Sequence, residues 1–251
     1  MLVLLPPSEG KTAPRRGAPL NLAGMTAPEL TAGRAAALDA LVELCTADPV
    51  KAADVLDIGT TQHDEITRNA ALHSAPTAVA AKVYTGVLYA TLDPATITGP
   101  AKRRLNRWVL VQSALFGLVG LGDRIPAYRL SGTVSLPGVG TMASHWRTAM
   151  RSALPELAGR GLVIDLRSTT YATFWRGDHR TVTLRVLQEV GGRRMVVSHF
   201  NKATKGRIVR ALVSDGGTPR NAHELVDHLG ALGWRAEHQS PRRVDVVVVE
   251  L

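Results

Sequence analysis

The chain has 251 residues, 45% of them hydrophobic and 20% charged, with 30 Lys+Arg against 21 Asp+Glu and a formal net charge of +9. That balance belongs to a globular chain with a core large enough to stand unstapled, and it excludes a disordered one. A single Cys excludes an intramolecular disulfide, a Cys-built zinc site and an iron–sulfur cluster, while 4% aromatics argues against gripping single strands by stacking many bases.

Residues 2–5 read as a short buried strand that stops at Pro6-Pro7. The opening lacks a basic n-region and an adequate apolar h-region, so it is not read as a signal peptide. No stretch approaches the roughly 18 unbroken apolar residues of a membrane span. A cytoplasmic location and no membrane partner are therefore expected. Residues 6–20 form a Pro/Gly/Arg/Ser-rich loop. Thr26, Pro28 and Glu29 have the spacing of a helix start, with Thr26 as N-cap. From there to about residue 73 the Ala/Leu pattern predicts three helices, broken near Pro49 and Gly59. Residues 101–108 predict a short basic helix, and 109–117 a buried strand followed by a glycine turn at Gly117, Gly120 and Gly122. Alternation over 128–136 predicts a strand. Residues 142–153 predict a helix with Trp146 on its apolar face, and 162–166 a core strand. Residues 182–187 and 195–198 predict a hairpin over Gly191-Gly192. Helices over 204–213 and 221–229 and a last strand over 244–249 complete one α/β or α+β domain, with no repeat and no linker.

The charge is uneven. Residues 26–75 carry three basic and eight acidic groups; 102–151 carry eight basic and one acidic; 160–220 carry twelve basic and four acidic. The positive middle and late chain favours polyanions or phosphate-bearing ligands.

Gly10-Lys11-Thr12 follows a strand, but Leu5 stands where a P-loop needs Gly, and Pro14 and Gly17 break any helix, so a Walker A loop is excluded. What remains is Ser8, Glu9 and Lys11 at the carboxyl end of a strand, where open α/β sheets bind ligands. Asp165 and Ser168 follow a second strand; Ser168 either caps the next turn or points with Tyr171 into the same cleft as Lys11. Asn201, Lys202, Lys205 and Arg207 open a helix, and cations there hint at an anion site. The histidines lack metal-ligand spacing, and neither a metal nor a cofactor is expected.

Six segments in order resemble the peroxide stress protein YaaA family. They are LLPPSEGKT at 4–12, VYTG at 83–86, SALFGL at 113–118, IPAYRL at 125–130, VIDLRS at 163–168 with Tyr171, and FNKATKGR at 200–207. The resemblance implies a single α+β domain over 1–251, of unusual topology, with a mixed sheet, an acidic helical subregion at 26–75 and a central basic cleft. It implies a cytosolic role limiting iron-linked oxidative damage, and DNA binding. By position, Lys11, Tyr84, Tyr128, Arg129, Ser168, Lys202 and Lys205 would line or border the cleft. Two departures matter. This chain reads Pro-Ser-Glu-Gly-Lys where other members read Pro-Ala-Lys, which adds a carboxylate. The N-terminal helices tied to DNA binding in the family are acidic here, so duplex DNA would use 102–151 and 160–220 instead.

The competing reading is an enzyme acting on a small anion such as a nucleotide, nucleobase or amino-acid derivative, in a biosynthetic pathway. Crowded cations would depress one lysine's pKa and free it as base or nucleophile. Lys11, Glu9, Ser168 and Tyr171 are then the candidate catalytic groups, and Ser8, Tyr84, Tyr128, Arg129, Asn201, Lys202, Lys205 and Arg207 the binding groups. A monomer is expected.

Overall fold

The computed structural model describes residues 1–59, 62–196 and 198–249. Its elements in chain order begin with β1 (Leu2–Leu5), α1 (Thr31–Ala47), α2 (Pro49–Leu56) and α3 (Asp64–Ala70). There follow β2 (Ala78–Val79), α4 (Ala80–Val83), α5 (Val87–Leu92) and α6 (Gly99–Trp108). The middle of the chain supplies β3 (Val109–Ser113), β4 (Gly117–Gly120), β5 (Arg124–Ile125), β6 (Ser135–Leu136), β7 (Gly140–Thr141) and α7 (Met142–Ala158). The last part supplies β8 (Val163–Asp165), α8 (Thr169–Ala172), β9 (Thr181–Val190), β10 (Arg193–Met195), α9 (Ser198–Asp215), α10 (Ala222–Ala231), β11 (Ala236–Ser240) and β12 (Arg243–Val249). This is an α+β architecture around a mixed sheet.

Among the described residues the main sheet runs β11-β12-β9-β8-β1-β3-β4, with β10 paired to β9. The five strands β12, β9, β8, β1 and β3 are mutually parallel; β11, β4 and β10 pair antiparallel at its margins. β1 lies in the middle, which is why its four residues are all apolar and buried: a strand covered on both faces has no polar side to alternate with. α6 and α9 pack on the sheet and α5 on α9. From β1 the chain leaves toward β3 on one side; from β8, the neighbour on the other side, it leaves toward β9. Adjacent parallel strands whose exits diverge leave a crevice at their carboxyl ends.

Several local expectations change. Thr26 is not an N-cap: Asp123 accepts hydrogen bonds from its amide (3.1 Å) and hydroxyl (2.9 Å), and a short 3-10 turn at Pro28–Leu30 precedes α1. The tertiary carboxylate outcompetes the local cap. The run 109–117 is a hairpin of β3 and β4, not one strand. The turn is held by Ser113, whose Oγ accepts from the Phe116 amide (3.0 Å), so Gly117 belongs to a strand. Gly117 has φ +70, and a Cβ there would stand 2.9 Å from the buried Trp146 ring. Residues 128–134 form no strand; they run beside the cleft, and only Ser135–Leu136 pairs. The predicted hairpin exists with β10 earlier than 195–198; Val197 of that range lies outside the described residues. α9 begins at Ser198, ahead of the predicted start, and β11 escapes prediction because its residues alternate weakly and stay half-buried. No helix among the described residues is long and apolar enough to cross a membrane.

Candidate functional site

A cleft of about 420 Å³ opens at the carboxyl ends of β1 and β8. Its walls come from the post-β1 loop (Pro6 to Lys11), from Thr85 to Tyr89, from Arg129 to Ser131, and from Ser168, Thr170, Tyr171 and Lys202. The post-β1 loop is pinned at both ends. The Ser8 hydroxyl donates to Gly10 O (2.6 Å) and accepts from the Thr85 amide (3.1 Å). The Thr12 amide donates to Val83 O (2.9 Å).

Lys11 is the chemically unusual group. Its Nζ donates to the backbone oxygens of Ser8 (2.8 Å) and Glu9 (3.3 Å) and sits 4.3 Å above the Tyr128 ring. Burial disfavours its charge, and repulsion from Arg129 adds to this; Glu65 and Glu9 oppose it more weakly, and the pKa falls to about 7. The Tyr128 face attracts the charged form, but a backbone carbonyl pair replaces water and counterion poorly. Near neutral pH this amine is therefore a mixture of charged and neutral forms.

Beneath it lies a closed hydroxyl chain. The Tyr84 and Tyr128 hydroxyls are 3.1 Å apart, and Tyr128 meets the Ser113 hydroxyl at 2.7 Å. Burial pushes the Tyr128 phenol up to about 12 and raises that of Tyr84 well above its ordinary value, so both remain neutral platforms. Tyr89 stacks on Tyr84 and donates to Pro6 O (2.7 Å), fixing the turn out of β1.

Two further clamps position the walls. Asn69, fully buried on α3, donates from Nδ2 to Arg129 O (2.8 Å) and accepts on Oδ1 from the Arg129 amide (2.9 Å). The Arg129 Nε is buried without a hydrogen-bond partner among the described residues. On the β8 side, Arg167 donates to both oxygens of Asp165 (2.8 and 2.7 Å), to Gln112 Oε1 (3.0 Å) and to the backbone of Tyr171 and Trp175. That buried network sets where α8 starts, and so where Ser168 and Tyr171 stand. The Tyr171 hydroxyl accepts from the Gly132 amide (3.2 Å), and burial raises its pKa.

Of the residues singled out from the sequence, Ser8, Glu9, Lys11, Arg129, Ser168, Tyr171 and Lys202 share this cleft. Tyr84 and Tyr128 lie under it. Lys205 turns to donate to Leu166 O (2.8 Å), tying α9 to the end of β8, and burial lowers its pKa. Asn201 lies one residue before Lys202 with a buried Oδ1 that has no partner among the described residues, and Arg207 is exposed outside the lining. The roles of Asn69 and Gln112 do not emerge from the sequence. An Asn inside a helix, where it is a weak helix former, is the available signal for the first. Among the described residues no three His, Cys, Asp or Glu side chains converge.

A family model described as peroxide stress protein YaaA matches residues 1–238. A UPF0246 protein of Streptomyces coelicolor is 49% identical over 100% of both chains. UPF0246 proteins of Corynebacterium efficiens and Corynebacterium glutamicum are 40% and 38% identical, each over 99% of this chain and 100% of the relative.

Proposed function

The chain belongs to the peroxide stress protein YaaA family, and on that premise we propose that it serves a peroxide-stress role as an enzyme whose cleft takes a small anionic substrate. The observation that carries this reading is Lys11: a partly neutral amine held in a cleft it shares with Arg129 and Lys202. Arg129 and Lys202 attract and orient the anion. Lys11 acts as base or nucleophile near pH 7. Glu9 exchanges protons with solvent at the rim, and Ser168 and the neutral Tyr171 phenol supply hydrogen bonds. The protein works as a cytoplasmic monomer. Calorimetric titration with inorganic phosphate and adenosine monophosphate tests the site. Lys202→Ala and Arg129→Met should each weaken binding about tenfold, one charge-assisted hydrogen bond being worth roughly 1.5–3 kcal/mol. Unchanged affinity in both variants overturns the reading.

A second reading, duplex DNA binding, is favoured by a different surface. A cleft of about 420 Å³ is too small for a duplex. At the opposite, amino edge of the sheet, Arg160, Arg176, Arg242 and Arg243 are exposed around the starts of β8, β9 and β12, and Arg107 lies near the Met1 amine. Arg242 donates to Arg176 O (3.1 Å), which brings two of these segments together. We assign the DNA-facing and damage-limiting part of the role to this edge, narrowing the basic stretches read from the sequence. Binding measured by anisotropy should fall steeply with salt. Arg176→Ala/Arg242→Ala/Arg243→Ala should lower the log–log slope by about 0.9 for each phosphate that is no longer neutralised, whereas Lys11→Ala should not. An unaltered slope in the triple variant refutes this assignment.

A further inference from the structure

Anion binding alone does not account for the way Lys11 is held. A lysine that only attracts a negative charge serves best when fully protonated and solvated. Here the fold works against the charge: the amine is half-buried, faces Arg129, and hydrogen-bonds to two backbone oxygens rather than to a carboxylate. A neutral amine has two N–H donors and one lone pair. The oxygens of Ser8 and Glu9 take up both donors and so fix the nitrogen. Pro6, Pro7, Val87 and Leu88 give the cleft part of an apolar wall. Desolvated lysines of this kind act as Schiff-base nucleophiles.

We propose that Lys11 forms an imine with an aldehyde or ketone that carries a carboxylate or phosphate, the anionic group resting on Arg129 and Lys202. The proposal rests on the reading of the cleft as an anion site and names its substrate class. The Lys11 lone pair attacks the carbonyl carbon, and the C=O π electrons move to oxygen. A proton passes from nitrogen to that oxygen, giving a carbinolamine. The nitrogen then expels the oxygen as water, leaving C=N; one carbonyl compound and one amine give one imine and one water, with no change of oxidation state. Arg129 suits the anchoring role because Asn69 fixes its main chain on both sides and its buried Nε has no partner among the described residues.

The test is reductive trapping on the full chain. The protein is mixed with pyruvate, or with pyridoxal 5′-phosphate, and sodium borohydride is added; the sites of the stable adduct are read by peptide mass spectrometry. Six lysines compete: Lys11, Lys51, Lys82, Lys102, Lys202 and Lys205. The expected result is adduct on Lys11 at least tenfold above the exposed Lys51, with a yield that rises through pH 7. Arg129→Met should cut the Lys11 yield about tenfold at limiting pyruvate, and inorganic phosphate should compete. Adduct on Lys11 no greater than on Lys51, with both probes, overturns the imine. If phosphate still binds the wild type and loses affinity in Arg129→Met, the anion site stands and the imine alone falls. If phosphate binding is also absent, both readings fall.

Discussion

Replacing Asn69 by alanine tests whether the cleft is positioned from behind. The side chain is fully buried, and its two hydrogen bonds satisfy both the N–H and the C=O of Arg129. Alanine leaves a peptide donor and a peptide acceptor without partners. Each stranded group costs about 1–3 kcal/mol, and partial relaxation toward water brings the sum to about 2–4 kcal/mol. For a chain of 251 residues that is a fall in Tm of about 5–10 °C. Urea unfolding should show the midpoint move with the slope unchanged, because the surface exposed on unfolding is nearly the same. Asn69→Asp keeps the acceptor but sets an oxygen against Arg129 O, so its cost at pH 7 should be at least as large. The second readout is functional: with its main chain released, the Arg129 guanidinium loses its fixed place, and phosphate affinity should drop several-fold in both variants. A loss of less than about 1 kcal/mol, or unchanged phosphate affinity at reduced stability, would refute the idea that Asn69 sets the Arg129 wall.

Asp165→Asn should cost about 3–5 kcal/mol in chemical denaturation, because it leaves the Arg167 guanidinium buried without its counter-charge; a loss under 1 kcal/mol would mean that Gln112 and the backbone oxygens suffice. Lys11 makes stability pH-dependent with a definite sign. The folded state holds its proton only below about 7, the unfolded state up to 10.5, so stability relative to Lys11→Met should rise from pH 7 toward 10.5, by at most about 1.4 kcal/mol per pH unit. A difference that is flat over that window would show that the amine stays charged. Gly206→Ala should lower Tm by several degrees, since a Cβ would stand 2.1 Å from Thr91 Oγ1 and 2.3 Å from Leu88 O, and α9 could no longer close on α5. Thermal melts that overlay the wild type would count against that packing.

The strands that build the site were legible because each is short and apolar up to a break: Pro6-Pro7 after β1, and the polar Asp165 closing β8. Lys11, Ser168 and Tyr171 could be placed near one another because carboxyl ends of neighbouring parallel strands share an edge. Alternation misread the stretch around Tyr128 as a strand. Its segment alternates like a strand, but its pattern comes from side chains packing inward from an unpaired segment: Tyr128 against Phe116 and Ser113, Leu130 buried beyond it. Thr26 shows another limit, since its cap spacing is local while Asp123, the residue that claims it, lies 97 positions away. Asn69 and Gln112 could not be assigned from pattern at all. Their partners, Arg129 and Arg167, lie 60 and 55 positions off and are brought in only by the tertiary fold. Gly206 shows the reverse case: it sits in a motif that looks like anion chemistry, yet what it supplies is room for α5.

On the proposed reading, the sheet order keeps the two kinds of negative partner apart. Divergent exits from β1 and β8 open a crevice at one edge only, and that crevice is narrow, partly apolar and backed by neutral tyrosines. Burial there lowers the pKa of Lys11 and so raises its neutral fraction near pH 7. At the other edge the same parallel strands begin, and their preceding turns carry exposed arginines. A long-range field suited to phosphates spread along a duplex needs the second environment, because screening by water and salt leaves only many weak attractions to add up. Chemistry on one small molecule needs the first, because a single amine must lose its hydration before it can attack. On the proposed reading, burial separates the two roles: exposed arginines for the duplex, and the half-buried Lys11 for the small molecule.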